Sequence, residues 1–555
     1  MAKYTIGIDF GTLSARALVA DTQTGREMGW AVSEYAHGVM DEYLPDGTKL
    51  PAGWALQHPN DYLDALKDAI RKAVQNANVD QNDIIAIGVD FTASTMLPLD
   101  KDMQPLSETH PSNPHAYVKL WKHHAAQAQA DRRTKAAQDF GYALLDDYGG
   151  KVSSEWTLPK IVQMIEEDKP LYEETDLLIE AGDYIVYKLT GNIKRSQMIA
   201  GYKAFYRKGE GYPDKRYLKN VHPLLENVFE TKLRGEVYPS THNAGALLKE
   251  MADALSLPEG IPVSVCAIDA HVSLPAANIC HRGEMLMIMG TSVCHIVLGD
   301  QMRTVGGMCG AVKDAVIPGL ACFEAGQSCV GDMFDWFSKN HFPAEYEKEA
   351  ALLSMNRHQY LTHLAQRKQP GETGLIALDW FNGNRSVLVN SDLSGLILGM
   401  TLSTKPEDVY RALIESAAFG TRMIVDTFEE AGVVIEKISA CGGIAVKNEF
   451  LMQVYADVLK REIRIARTSQ AGALGSCIYA SVAAGKKNGG YDDLAEAAGH
   501  MGGTGEKVYR PNLKNSAVYE KLFAEYRRLH EFFGRGGNDV MKRLRMIQRD
   551  ISAWN

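Results

Sequence analysis

Apolar and polar positions over residues 4–21 fall into two strand-like runs around a polar turn. The runs are Tyr4-Thr5-Ile6-Gly7-Ile8 and Ala15-Arg16-Ala17-Leu18-Val19-Ala20-Asp21, with Asp9-Phe10-Gly11-Thr12-Leu13-Ser14 between them. The pattern predicts a hairpin. After a loop-rich passage containing Pro45, Gly47, Pro51 and Gly53, residues Leu63, Leu66, Ile70 and Val74 recur at helical spacing and predict an amphipathic helix near 60–77. Ile84-Ile85-Ala86-Ile87-Gly88-Val89 reads as a buried strand, ending in the polar cluster Asp90-Phe91-Thr92-Ala93-Ser94-Thr95. Ligands of α/β sheets sit at such carboxyl ends. Leu120-Trp121-Lys122-His123-His124 precedes an alanine- and charge-rich helical stretch, and residues 151–191 are mainly helical. Residues 261–268 form a short apolar run that delivers Asp269 into a loop.

Residues 283–300 restate the opening pattern. Gly290-Thr291 falls where Gly11-Thr12 does, Ile296-Val297-Leu298 where Ala17-Leu18-Val19 does, and Asp300 where Asp21 does, all at one offset. The echo continues into a predicted helix over about 405–431, with Thr404 and Glu407 as its expected capping box. A strand from Ile435 to Cys441 and the turn Gly442-Gly443 follow. Duplication of an α/β unit implies two similar domains facing each other, with a hairpin from each converging on the cleft. The expected fold class is therefore α/β, with N-terminal residues 1–280, C-terminal residues 281–490 and a helical tail over 491–555. In that tail Tyr519, Leu522, Phe523, Tyr526, Leu529, Phe532 and Phe533 define an amphipathic helix, expected to pack back on the body. A homodimer contact through it is the alternative.

A chain of 555 residues exceeds the size at which single cores stop growing, in agreement with that division. The net charge of −10 argues against a nucleic-acid partner but leaves room for a nucleotide held by a few local donors. There is no run of about 18 apolar residues, so no membrane partner is expected. A strand that starts by Tyr4 leaves no room for a leader. The eight cysteines lack paired C-x-x-C spacing, so free thiols and a cytoplasmic location are expected.

The first turn gathers a carboxylate (Asp9), amides beside Gly11, the hydroxyls of Thr12 and Ser14, and the guanidinium of Arg16. Together these suit a metal-bound polyphosphate; an ordinary Asp/Gly hairpin turn is the plainer reading. Asp269 is suited to general-base work and equally to capping the next helix. The adjacent His123 and His124 lack the H-E-x-x-H spacing of a metal pair and read as packing or solvated residues. Trp121 and Lys122 suit contact with a small polar ligand, whereas composition alone makes Lys203 a surface lysine. No G-x-x-x-x-G-K-[ST] occurs, which disfavours a P-loop enzyme.

Gly395-Leu396-Ile397-Leu398-Gly399-Met400 followed by Asp408-Val409-Tyr410-Arg411-Ala412-Leu413-Ile414-Glu415 resembles the C-terminal signature of the FGGY carbohydrate kinases. Asp9-Phe10-Gly11-Thr12, Gly290-Thr291-Ser292 and Cys441-Gly442-Gly443-Ile444-Ala445-Val446-Lys447-Asn448 are similar to that family's two phosphate motifs and its adenosine loop. The resemblance covers nearly the whole chain. It implies two duplicated actin-like, ribonuclease H-like domains around an interdomain cleft, with ATP and Mg²⁺ as cofactors.

The sugar-side segments around Asp90, Trp121, Lys203, Asp269 and Glu324-Ala325-Gly326-Gln327 are most similar to members that phosphorylate L-ribulose at O5 in L-arabinose catabolism. On that resemblance Asp269 is the catalytic base. Lys203, Asp269 and Glu324 contact the sugar, with Ala93, Trp121 and Gln327 nearby. Gly11, Thr12, Ser14, Arg16, Gly290 and Thr291 hold phosphates, Gly442, Gly443 and Asn448 the adenosine, and Asp9 the metal. The alternatives are a kinase for D-ribulose or ribitol, and a non-catalytic actin-like ATP switch.

Overall fold

The first hairpin is formed by Tyr4–Phe10 and Ser14–Asp21, paired antiparallel with Ile6 opposite Val19 and Asp9 opposite Arg16. A computed structural model describes residues 2–141 and 143–552. On one side of the hairpin lies Glu27–Glu34, antiparallel to the second strand. On the other lies Ile84–Phe91, parallel to the first, with Asp90 level with Asp9. Ile84–Phe91 is buried along its whole length, which is why its sequence shows no alternation. The predicted strand near 261–268 is two short ones, Pro262–Ser264 and Ala267–Ile268, both parallel to Ile84–Phe91. The second pairs with Asp90 and Phe91, so Asp269 emerges at the carboxyl edge of the sheet, its amide donating to the carbonyl of Phe91 at 3.1 Å.

A second sheet repeats the arrangement. Glu284–Met289 pairs antiparallel with Val293–Gly299 and parallel with Lys437–Cys441. Ala321–Gln327 occupies the place of Glu27–Glu34, and Ile463–Ala466 lies parallel beyond Lys437–Cys441. The two predicted helices are Pro59–Ala77 and Pro406–Glu430. The capping box of the second is displaced by one residue from the expected pair. Lys405 is the N-cap, and its amide donates to Asp408 Oδ2 at 3.0 Å, because Pro406 at N1 fixes the start. Thr404 serves the preceding turn, and Glu407 accepts from the hydroxyl of Tyr346.

Chain order and packing part company near the C-terminus. Helix Ala471–Ala484 follows the second sheet in sequence yet lies on the first, and Leu494, Ala497, Ala498 and Met501 join the same core. Two glycines admit it. A Cβ on Gly7 would stand 1.9 Å from the carbonyl oxygen of Ala473, and one on Gly88 would stand 1.9 Å from that of Ser476. Thr5 Oγ1 donates to the carbonyl of Cys477 at 3.0 Å and ties the helix down. Thr504–Tyr509 then adds an antiparallel strand to the second sheet. Helix Leu513–Gly534 buries Tyr519, Phe523 and Tyr526 in the second core.

Residues 96–235 contain a further core, built on helices such as Gln127–Asp139 and Thr157–Glu167, beside a small sheet of Leu56–Gln57, Val118–Lys119, Met96–Leu99 and Leu177–Glu180. Among the described residues, no helix is long and apolar enough to cross a membrane.

Candidate active site

Three aspartates meet at the carboxyl edge of the first sheet. Asp9 and Asp90 end neighbouring parallel strands, and Asp269 follows the third. Burial drives the Asp9 carboxyl above its ordinary range, partly offset by Arg16. Burial and the charge of Asp9 drive Asp90 well above, although Ser476 Oγ donates to its Oδ2 at 2.6 Å. The other oxygen of Asp90 has no partner. Burial and Asp9 also push Asp269 up to about 7, with Lys203 pulling the other way. A carboxyl near neutrality, at a sheet edge, has the proton affinity a general base needs. Helix capping by Asp269 is not seen: its Oδ1 accepts only from its neighbour Ala270, at 2.8 Å, and the next helix starts at Ser273.

Lys203 is not a surface lysine. It sits near the end of helix Gln197–Ala204, its side chain 13% exposed, 3.9 Å from Glu324 Oε2. Glu324 comes from the second lobe, on Ala321–Gln327, so the pair spans the two halves. Against the burial that would raise it, Lys203, Arg385 and His271 hold the Glu324 carboxyl down at about 2. Arg385 Nη2 donates to Glu324 Oε1 at 2.9 Å, while Oε2 has no hydrogen-bond partner.

Ala93 is buried in the turn after Ile84–Phe91. Trp121 donates its indole N–H to Thr12 Oγ1 at 3.1 Å, which links the 119–121 turn to the first hairpin turn. Gln327 is turned away from this group. Both of its N–H hydrogens are used, by Asp379 Oδ2 at 2.8 Å and the carbonyl of Ala417 at 2.9 Å, and its Oε1 accepts from Thr421 at 2.7 Å. Gly420 makes room for it, since a Cβ there would stand 2.4 Å from Gln327 Nε2.

The two hairpin turns are similarly supported. Gly11 donates to the carbonyl of Ser14 and Gly290 to that of Ser292, each at 3.0 Å. Each turn also meets the start of a helix: Gly472 lies against Asp9, and Gly331 donates to the carbonyl of Gly290 at 3.2 Å. Thr12, Ser14 and Arg16 are half-buried, and Gly290 and Thr291 are exposed. Gly442 has φ of 93°, and a Cβ would lie 2.4 Å from the carbonyl oxygen of Met289, so both conformation and contact require glycine. Gly443 is exposed beside it. Asn448 is committed elsewhere, its Oδ1 capping helix Glu449–Leu459 through the amide of Leu451 at 3.0 Å. His123 pairs with Gln163 and His124 with Glu155, so the two rings do not converge.

Residues 4–275 match the N-terminal domain, and residues 285–484 the C-terminal domain, of the FGGY family of carbohydrate kinases. The chain belongs to this family. It is a carbohydrate kinase, and kinases of this family use ATP. It is 49% identical over 549 residues to a protein named ribulokinase from Halalkalibacterium halodurans, covering 98% of each chain. To the ribulokinase of Anoxybacillus flavithermus it is 48% identical, covering 98% of this chain and 97% of the other. Among solved structures, gluconate kinase from Lactobacillus acidophilus superposes with a TM-score of 0.80 at 19% identity, over 97% of this chain and 99% of that one. Xylulose kinase from the same organism gives 0.79 at 20%, over 95% and 98%. The fold is accordingly the two-domain actin-like, ribonuclease H-like fold of FGGY sugar kinases.

Sequence reasoning gave no role to Asp90, His271 or Arg385. Asp90 was visible as a charge ending an apolar strand. His271 lies two residues after Asp269 and is almost fully buried, with neither ring nitrogen hydrogen-bonded. Arg385 lies in a loop whose approach to Glu324 leaves no periodic signal.

Proposed function

We propose that this kinase transfers the γ-phosphoryl group of ATP to O5 of L-ribulose, giving L-ribulose 5-phosphate and ADP. The observation that carries the reading is Asp269, near neutral in its proton affinity and within electrostatic reach of Lys203, in a chain whose full-length relatives are named ribulokinases. Asp269 accepts the proton of the attacking hydroxyl, a role typically worth about 10²- to 10⁴-fold. Lys203 and Glu324 bond sugar hydroxyls from opposite lobes. Ala93 and Trp121 shape the pocket between the 91–95 and 119–121 turns. Gly11, Thr12, Ser14, Arg16, Gly290 and Thr291 hold the phosphates, with the backbone at Gly442 and Gly443 beside the nucleoside. The working division is 1–280 and 281–490 as facing lobes with 491–555 as a tail, and helix Ala471–Ala484 crosses between them.

The donor set fits Mg²⁺. The negative charge of Asp9 raises the proton affinity of both Asp90 and Asp269, and Arg16 offsets its burial only in part, so a cation beside Asp9 would relieve the crowding of carboxyls at this edge. Asp9 would hold the ion, which when bound neutralises phosphate charge. The eight free cysteines suit a cytoplasmic enzyme.

The deciding experiment is a panel of L-ribulose, D-ribulose, L-xylulose and ribitol with coupled detection of ADP. L-Ribulose is expected to give the highest kcat/KM. Preference for another acceptor, or ADP formation that no sugar stimulates, would overturn the reading.

A further inference from the structure

Helix Thr157–Glu167 carries a lysine that the reaction above does not use. Lys160 is fully buried, and its Nζ donates to two backbone carbonyls, that of Ser94 at 2.5 Å and that of Leu120 at 2.8 Å. Those carbonyls belong to the two turns that carry Ala93 and Trp121. Neither turn is held by sheet pairing at that point. Ser94 has φ of 60°, a left-handed conformation that a residue with a Cβ keeps only when its surroundings enforce it.

The same helix grips the first turn a second time. Thr157 Oγ1 donates to Glu180 Oε1 at 2.9 Å, and Glu180 Oε2 accepts from the amide of Thr95 at 3.0 Å. Beyond Leu120, Trp121 bonds Thr12, so the connection reaches the first phosphate turn.

A buried lysine carries a desolvation cost that an apolar side chain of the same length avoids. Filling the core therefore does not explain it, whereas joining two carbonyls of separate turns does: Lys160 is the donor to that of Ser94 and adds a second donor to that of Leu120, which already accepts from the amide of His123 at 3.0 Å. We propose that Lys160 is a positioning residue for the acceptor: it fixes the 91–95 turn against the 119–121 turn and so sets the spacing between Ala93 and Trp121. The proposal rests on the reading that these two residues face the sugar. Burial lowers Lys160 to about 7, with Glu180 and Glu155 raising it. The tie survives loss of the proton, because a neutral amine still has two N–H groups for two carbonyls.

The test is Lys160→Met in the full-length protein, which keeps the stem and removes the donors. The KM for L-ribulose is expected to rise about tenfold or more, the KM for ATP to stay within about twofold, and the preference for L-ribulose over D-ribulose to shrink. Hydrogen exchange should quicken in residues 91–95 and 119–123 together. A variant that melts earlier but keeps the wild-type sugar KM, preference and exchange would reduce Lys160 to a structural role and overturn the proposal. If Lys160→Met does not fold, Lys160→Gln carries the same readouts. If the wild type phosphorylates none of the pentuloses, the functional reading fails separately, and exchange in the two turns still decides whether Lys160 ties them.

Discussion

At the scale of single residues, the proposed chemistry rests on one carboxyl, Asp269, pushed up to about 7. Asp269→Asn should lower kcat by about 10²- to 10⁴-fold while leaving L-ribulose binding measurable by calorimetry; near-normal turnover would remove Asp269 from the mechanism. The same substitution has a consequence for stability. The folded-state pKa of about 7 lies above the unfolded value of about 3.9, so the contribution of Asp269 is complete below the latter and lost as pH rises through the former. Asp269→Asn should therefore melt higher than the wild type at pH 8, with the difference closing towards pH 4. Lys203 opposes the rise in Asp269. Lys203→Met should accordingly weaken sugar binding and move the acid limb of the kcat/KM profile to higher pH, whereas a lysine with no part in the site would move neither. Much of this was legible in the sequence as residue types at strand ends. What sequence could not give is the company each residue keeps: Gln327 and Asn448 sit in motifs similar to those of the family, yet their amides are committed to neighbours within the second lobe.

At the scale of elements, each lobe depends on glycines where backbone meets backbone. Gly88 lies on a central strand with the carbonyl of Ser476 against it. Gly88→Ala should lower the urea midpoint by the equivalent of about 1–3 kcal/mol or more, since the contact is rigid backbone on both sides. Equilibrium unfolding checks this; an unchanged midpoint would mean that the helix can back away. Gly472 is the counterpart at the site, where a Cβ would lie 2.6 Å from Asp9 Oδ2. Gly472→Ala should displace Asp9 and cost turnover more than stability, as paired kcat and thermal-midpoint measurements would register. The hairpins, long helices and central strands were readable because their periodicity is local. The two-part strand at 262–268 and the cap at Lys405 were not, because pairing with Asp90-Phe91 and the fixed φ of Pro406 decided them.

At the scale of the whole molecule, Lys203 and Glu324 face each other from different lobes, so the proposed acceptor site draws on both halves. Slow ADP release in the absence of sugar, strongly stimulated by L-ribulose, is the expected outcome of a coupled assay; equal rates would point to a nucleotide switch instead. The sequence by itself determined the α/β class, the duplication, the two matching hairpin turns and the place of Asp269 after a short strand. These are written in local alternation and in a repeat at one offset, which follow from the backbone geometry of strands and helices. The tertiary structure alone decided that helix Ala471–Ala484 crosses to the first sheet, that Arg385 and His271 join Glu324, and that buried Lys160 binds two distant turns. Such contacts join residues tens to hundreds of positions apart through single carbonyls and charges, and no periodicity along the chain records them. The opening turn, legible as a cluster of polar groups, takes its place in the site through distant contacts such as Trp121 on Thr12, Gln57 on the carbonyl of Thr12 and Gly472 against Asp9.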